Sequence, residues 1–424
     1  GMDPMDHYMR IGHRLNRDPG PDFSVRFART VYGLRPLFEP VSRLDWMRRK
    51  YAEEPKINHK RVLVAAADIA RHDCAQKAIA IAEHHLPENL AHTAEILRAN
   101  AAINKGDREG WLAHLNAYLA HFGANPLRIS GSGPLFEGLT GAHLPPVTGG
   151  PLISVIMPAW NAENTIRKSV DSILGQSWQN IELLIVDDCS SDGTWSVLQD
   201  IAQADDRVKI MRNKVNVGPY VSKNIALKSA KGAWVTGQDA DDWSLPDRLE
   251  KHVQTAESRG LDASLSYMIR MHKSGYFGHI GSLGSFCLDG AARKSSISCL
   301  LKKDVMMEKI GFWDTVRFGA DSELIARATL VCGERFSGIR AISMICLDVE
   351  TSLTNHPEHG VRKATGISPI RATYRDAWSA WLETKSAGDD VFLPFPQTVR
   401  RFSAPDEMNV PVSDIVANIA TGGD

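Results

Sequence analysis

Leu152-Ile153-Ser154-Val155-Ile156-Met157 is a short, β-branched, apolar run, and similar runs return at residues 181–186, 208–211 and 233–236. Between them, residues 164–175, 194–204 and 221–230 carry apolar side chains at helical spacing. Strands with near-continuous apolar sequence, alternating with helices, predict a mostly parallel α/β sheet. In such sheets ligands gather beyond the carboxyl ends of the strands. The residues just after each run therefore carry the functional reading.

The first run is followed by Pro158-Ala159-Trp160-Asn161, which is neither a G-x-G-x-x-G nor a Walker loop. The second leads into Asp187-Asp188-Cys189-Ser190-Ser191-Asp192-Gly193-Thr194. Asn213, Asn216, Val217 and Gly218 follow the third. Gly237-Gln238-Asp239-Ala240-Asp241-Asp242 follows the fourth. Ser190-Ser191-Asp192 is equally able to cap the helix at Thr194, and Asp247 reads as a helix-dipole partner. Asp239, Asp241 and Asp242 stand apart. Three carboxylates within four residues repel one another unless a cation neutralises them. Mg²⁺ and Mn²⁺ take a few carboxylates together with phosphate oxygens. The segment reads as a metal and diphosphate site; its bland alternative is a solvated acidic turn.

Outward from this core the texture changes. Residues 131–150 are rich in Gly, Pro, Ser and Thr and read as a linker. Residues 62–122 repeat apolar and alanine positions at helical spacing, broken at Pro87 and Gly106-Asp107. They predict antiparallel, tetratricopeptide-like helical hairpins within a domain over 51–130, though without a clean 34-residue self-match. Residues 1–50 are expected to form an irregular or helical arm. The catalytic domain is expected over 151–360, and a C-terminal helix and tail over 361–424. The helix is predicted at 370–382, with the tail packed on the catalytic domain or on a partner. The run from 275 to 290, rich in Gly, reads as a mobile loop within the segment 261–298, able to close over a substrate.

With 424 residues, 43% apolar and 23% charged, the chain can build two or three ordinary domains. A formal net charge of −1 argues against general nucleic-acid binding. Six scattered cysteines, with no C-x-x-C pair, suit a reducing cytoplasm. No apolar stretch of spanning length occurs. Gly1-Met2-Asp3-Pro4 reads as a tag scar rather than the start of a secretory signal.

Four segments together resemble the inverting family 2 glycosyltransferases of GT-A fold. They are Ser154-Val155-Ile156-Met157-Pro158 with Trp160-Asn161, and Val186-Asp187-Asp188 with Ser190 to Thr194. The third is Asn216-Val217-Gly218 with Ser222-Lys223-Asn224 and Ala230-Lys231-Gly232. The fourth is Asp239-Ala240-Asp241-Asp242 with Pro246. Downstream, Ile310-Gly311-Phe312-Trp313-Asp314 and Gly319-Ala320-Asp321-Ser322-Glu323 resemble the family's second half, except that Ala320 replaces the usual acidic residue.

The resemblance implies transfer of a sugar, with inversion, from a UDP-type donor to a glycan or lipid-linked hydroxyl. It implies a divalent cation, a cytoplasmic place that extends to the inner membrane face, and a helical domain available for oligomer or protein contacts. Asp321 is the implied general base, with a helix N-cap as its alternative. Asp241 and Asp242 are the implied metal ligands, with His356 completing the site or standing as a surface histidine. Asp239 and Ala240 lie toward the donor. Pro158, Trp160, Asn161, Glu163, Asp187, Asp188, Asn216, Gly218 and Lys223 form the nucleotide side. Asp188 is implied to meet the base edge. Trp160 either stacks on that base or fills the core, and Lys223 either approaches the phosphates or lies on a solvated face. A nucleotidyltransferase and a non-catalytic nucleotide-sugar scaffold are the competing readings.

Overall fold

The structure, a computed structural model, describes residues 58–72, 74–349, 352–353, 355–356, 358–362 and 366–419. The arm expected at 1–50 lies outside them. The chain divides into two compact units: residues 1–129 with 274–293, and residues 130–273 with 294–424.

The first unit is helical: α1 (Val62–His72), α2 (Ala75–His85), α3 (Ala94–Asn104) and α4 (Arg108–Ala120). Alanines and aliphatics let α1 pack closely on α2, and α3 on α4. Asp107 caps α4, its carboxylate accepting from Gly110 N at 2.8 Å. The segment expected to be a mobile loop is anchored here. Asn100 forms two bonds with the backbone of Phe277, at 3.0 and 2.7 Å, and Trp111 Nε1 donates to Gly275 O at 2.8 Å. The buried carboxylate of Asp289 accepts from Tyr118 at 2.8 Å and meets His92 Nε2 at 3.0 Å. Buried bonds of this kind are costly to leave unmade.

The second unit is built on a mixed sheet. Its elements are β1 (Ile153–Ala159), α5 (Ile166–Leu174), β2 (Ile181–Asp187), α6 (Thr194–Ala204), β3 (Val208–Arg212), α7 (Pro219–Ser229) and β4 (Trp234–Gly237). Then come β5 (Trp243–Ser244), α8 (Arg248–Ser258), β6 (Ala263–Met271), β7 (Leu300–Lys302), α9 (Ala320–Cys332) and β8 (Phe336–Leu347). The strand order is β3-β2-β1-β4-β7-β6-β8-β5, and the first four strands are parallel. The order reverses beside β1, which places a crevice at the carboxyl ends of β1 and β4.

Alternate residues of β1 and β2 explain their unbroken apolar runs. Val155, Met157, Leu183 and Ile185 pack with α5, α6 and α8. Ile156, Leu184 and Val186 join the core that includes α7 and α9. Both faces are covered, so neither can be polar.

The C-terminal helix α10 (Pro369–Glu383) and α11 (Val412–Ile419) belong to this unit, and the tail packs into its core. Phe395, Phe402, Met408 and Ile415 enter the same core as α9. Arg317 N donates to Met408 O at 2.8 Å, and Phe312 N to Leu393 O at 2.9 Å. The buried Asp314 accepts from Tyr374 at 2.8 Å and pairs with Arg400. The stretch leading into α9 is thereby braced along its length. Among the described residues no helix is long and apolar enough to cross a membrane.

Candidate active site

Behind β1 the chain turns outward. Trp160 is 59% exposed, so it is not a core aromatic. Asn161 adopts φ 48°, a left-handed conformation that Asn tolerates better than most residues. Its side-chain oxygen accepts from Ser191 N at 2.9 Å, and its own N donates to Ser190 Oγ at 2.9 Å. Glu163 accepts from Gly193 N at 2.7 Å. Asn161 and Glu163 thus bind the loop after β1 to the loop after β2.

Asp187 ends β2 and Asp188 follows it, both buried. Asp187 accepts from Ser190 N at 3.2 Å and pairs with Arg212 Nε at 3.0 Å. Asp188 accepts from Asn213 at 2.7 Å, Val217 N at 3.0 Å and Gly218 N at 2.7 Å. Burial raises its pKa, and these hydrogen bonds oppose the rise. Asp188 therefore shapes the third signature. Asn216 joins it, donating to Asp188 O at 3.1 Å and accepting from Arg317 at 3.0 Å. Gly218 has φ 82° and abuts the Arg317 backbone, so a side chain there would be strained.

Lys223 is 2% exposed and does not lie on a solvated face. Its Nζ reaches Asp321 Oδ1 at 3.2 Å and lies over the Tyr220 and Trp313 rings. Asp321 Oδ1 also accepts from Trp313 Nε1 at 3.1 Å, and Oδ2 from Tyr220 at 3.2 Å. The N-cap of α9 is Gly319, and Asp321 sits inside the first turn. Its carboxylate is held by three side-chain donors and caps nothing.

The acidic turn follows β4. Asp239 and Asp241 are partly exposed, Ala240 packs into the core, and Asp242 is buried. Asp242 accepts from Leu347 N at 3.0 Å, which ties the turn to β8. Burial, then mutual repulsion, raises the pKa of Asp242 well above the usual range and that of Asp241 to about 6. Asp239 is raised by burial, opposed first by Lys223 and aided by Asp321. The turn and the Lys223–Asp321 pair thus lie within electrostatic reach. The turn offers hard carboxylate oxygens of the kind a divalent cation takes, but a cation here would need phosphate or water oxygens to complete its shell.

Among the described residues no three His, Cys, Asp or Glu side chains form a group able to hold a metal. His356 accepts from the N–H groups of Glu358 and His359, both at 3.2 Å, and stacks on His359.

Sequence reasoning missed four residues. Trp313 and Tyr220 hold Asp321. Arg270, on β6, partly opposes the rise in the pKa of Asp239, Asp241 and Asp242. Arg317 joins the Asn216 turn to the approach to α9. Trp313 alone had a signal, its place in the segment 310–314.

Residues 154–282 match the family model for glycosyl transferase family 2. The chain is 36% identical over 152 residues to the putative teichuronic acid biosynthesis glycosyltransferase TuaG of Bacillus subtilis, covering 35% of this chain and 60% of that protein. It is 44% identical over 112 residues to the putative glycosyltransferase EpsE of the same organism, covering 26% and 40%. It is 39% identical over 118 residues to WfgD of Escherichia coli, covering 28% and 44%. WfgD is named a UDP-Glc:alpha-D-GlcNAc-diphosphoundecaprenol beta-1,3-glucosyltransferase. The chain spans about 40–60% of the length of these relatives.

Proposed function

We propose that this chain, which carries a glycosyl transferase family 2 domain over residues 154–282, transfers a sugar from a UDP-linked donor to a hydroxyl, with inversion, in cell-envelope or polysaccharide synthesis. One observation carries the reading. The exposed Trp160 and the acidic turn after β4 stand at the carboxyl ends of adjacent strands, and Asp321 lies within electrostatic reach of that turn. The names of the relatives support the substrate class, WfgD above all. The acceptor is a glycan or a lipid-linked saccharide, and the site works on the cytoplasmic side.

Each residue then has a task. Trp160 offers its exposed face to the nucleobase. Asp188 Oδ2 accepts from Gly218 N and would turn a remaining lone pair to a base N–H. Asp239 faces the donor. Asp241, with Asp242 behind it, would hold Mn²⁺ or Mg²⁺, which clamps the diphosphate and offsets charge on the leaving oxygen. Phosphate oxygens and water would complete the ligand set of a bound cation. Asp321 takes the acceptor hydroxyl's proton, and Oδ2, with one donor against two on Oδ1, is the better placed oxygen. Lys223 and Trp313 hold Oδ1 and fix the carboxylate's direction.

Thermal unfolding with UDP-sugars tests the reading. A UDP-sugar with Mn²⁺ raises the midpoint, since only a ligand of the native state does so, and EDTA removes most of the rise. If a nucleotide-sugar stabilises the protein but none is consumed with any acceptor, the transferase reading fails and the non-catalytic nucleotide-sugar scaffold replaces it; if none stabilises it either, both readings fail. The nucleotidyltransferase alternative lacks its Gly-rich loop, since Pro158 to Asn161 stand there.

Trp160→Ala separates base stacking from the rest of the site. Loss of one base–aromatic stack costs about 1–3 kcal/mol. Calorimetric titration with UDP is expected to show affinity lowered by roughly ten-fold or more. Because the side chain is exposed, the unfolding midpoint of the free protein stays near that of the wild type. Unchanged UDP affinity would remove Trp160 from the donor site.

A further inference from the structure

Arg248, in the first turn of α8, is fully buried. A buried guanidinium is costly to place and is usually paired with a carboxylate. Among the described residues, Arg248 bonds only to neutral groups. One terminal nitrogen donates to Gln238 Oε1 at 2.7 Å and Ser244 Oγ at 2.9 Å. The other donates to Thr236 Oγ1 at 2.9 Å and Gly237 O at 2.6 Å. These four residues are the end of β4 and the two positions that bracket the acidic turn. The bracket is closed further, for Ser244 Oγ donates to Gln238 Oε1 at 2.8 Å and Gln238 Nε2 donates to Asp242 O at 2.8 Å. The anions that favour the charge of Arg248 include Asp242 and Asp239, neither of which it touches.

We propose that Arg248 is a positioning residue for the donor site: its planar fork ties both ends of the Asp239–Asp242 turn to β4 and fixes where the carboxylates of Asp239 and Asp241 face. The inference rests on the reading of that turn as the metal and diphosphate site. Two effects of Arg248 on a bound cation have opposite signs. Its positive charge, buried near the turn, repels a cation. Its hydrogen bonds hold the ligands in place, and partners behind metal ligands are worth about 10–100-fold in affinity. Positioning is the larger effect if the fork matters. Lysine keeps the charge but cannot reproduce two donating ends.

The test is Mn²⁺ binding to the full chain in the presence of UDP, followed by the electron paramagnetic resonance signal of free Mn²⁺. Wild type binds. Arg248→Lys and Arg248→Met are both expected to bind about tenfold more weakly or worse. If Arg248→Met binds as tightly as wild type or more tightly, while Arg248→Lys matches wild type, only charge is at work and the positioning role is overturned. Circular dichroism and the unfolding midpoint show whether each variant folds. Should both fail to fold, Ser244→Ala decides, because it removes one acceptor of the fork and leaves the charge. It is expected to weaken Mn²⁺ binding severalfold, and wild-type affinity there overturns the proposal. If wild type itself binds no Mn²⁺ with UDP, the donor-site reading falls, and this inference with it.

Discussion

Asp321→Asn is expected to lower the turnover number about a thousandfold while UDP affinity stays near wild type. A positioned general base contributes roughly 10²–10⁴ in rate, and an amide cannot take the hydroxyl proton. The exchange suits the site. The amide oxygen can keep the bonds from Lys223 and Trp313, and the amide nitrogen can donate to the Tyr220 oxygen that now donates to Oδ2. Steady-state transfer kinetics alongside UDP titration separate the two quantities. A variant that keeps most of its turnover would move the base elsewhere. A variant that loses UDP binding as well would show that Asp321 serves the donor and not the acceptor.

The second large effect concerns stability. Arg327 is buried on α9 and pairs with the buried Glu323, reaching Oε2 at 2.8 Å. It also donates to Ile310 O, and to Phe312 O at 2.9 Å. Burial raises the Glu323 pKa, and Arg327 counters it. Arg327→Met leaves a buried carboxylate without its cation and two carbonyls without their donor. Breaking a buried pair from one side costs about 3–5 kcal/mol. The unfolding midpoint is expected to fall by roughly 10 °C. Removing both charges, as Arg327→Met with Glu323→Leu, is expected to recover much of that loss. A single variant as stable as wild type would show that the pair is not what holds Phe312 and Trp313 beneath Asp321.

The strands and the acidic turn were legible because each is a local pattern. An apolar run covered on both faces looks the same wherever it occurs, and three carboxylates within four residues need no distant partner to be noticed. The site's positioning residues were not legible, because their meaning lies in tertiary contacts. On α7, Ser222, Lys223 and Asn224 are three successive buried polar residues, which contradicts any amphipathic reading of that helix. They are buried because Asp321, Trp313 and Asn213 meet them from other parts of the chain. Asn161 and Glu163, which the resemblance places on the nucleotide side, also fasten two loops together, a task that only tertiary contacts reveal. The stretch from 275 to 290 read as mobile because glycine predominates. Its order comes from Asn100, Trp111 and Tyr118, all more than 160 residues away in sequence.

That last arrangement bears on how the protein can be cut. Residues 274–293 leave the second unit after β6, join the α-helical unit and return before β7. The backbone therefore passes between the units three times, near 129, 273 and 293. The helical unit is not a cassette at one end of the gene. A fragment starting at 130 would retain the excursion without Asn100, Trp111 and Tyr118, leaving Phe277 without its side-chain partner and the carboxylate of Asp289 with only the N–H groups of Ala291 and Ala292. A fragment ending at 129 would lose the same contacts from the other side. Exchange of the helical unit between relatives would have to carry residues 274–293 along with it, as two edits made together.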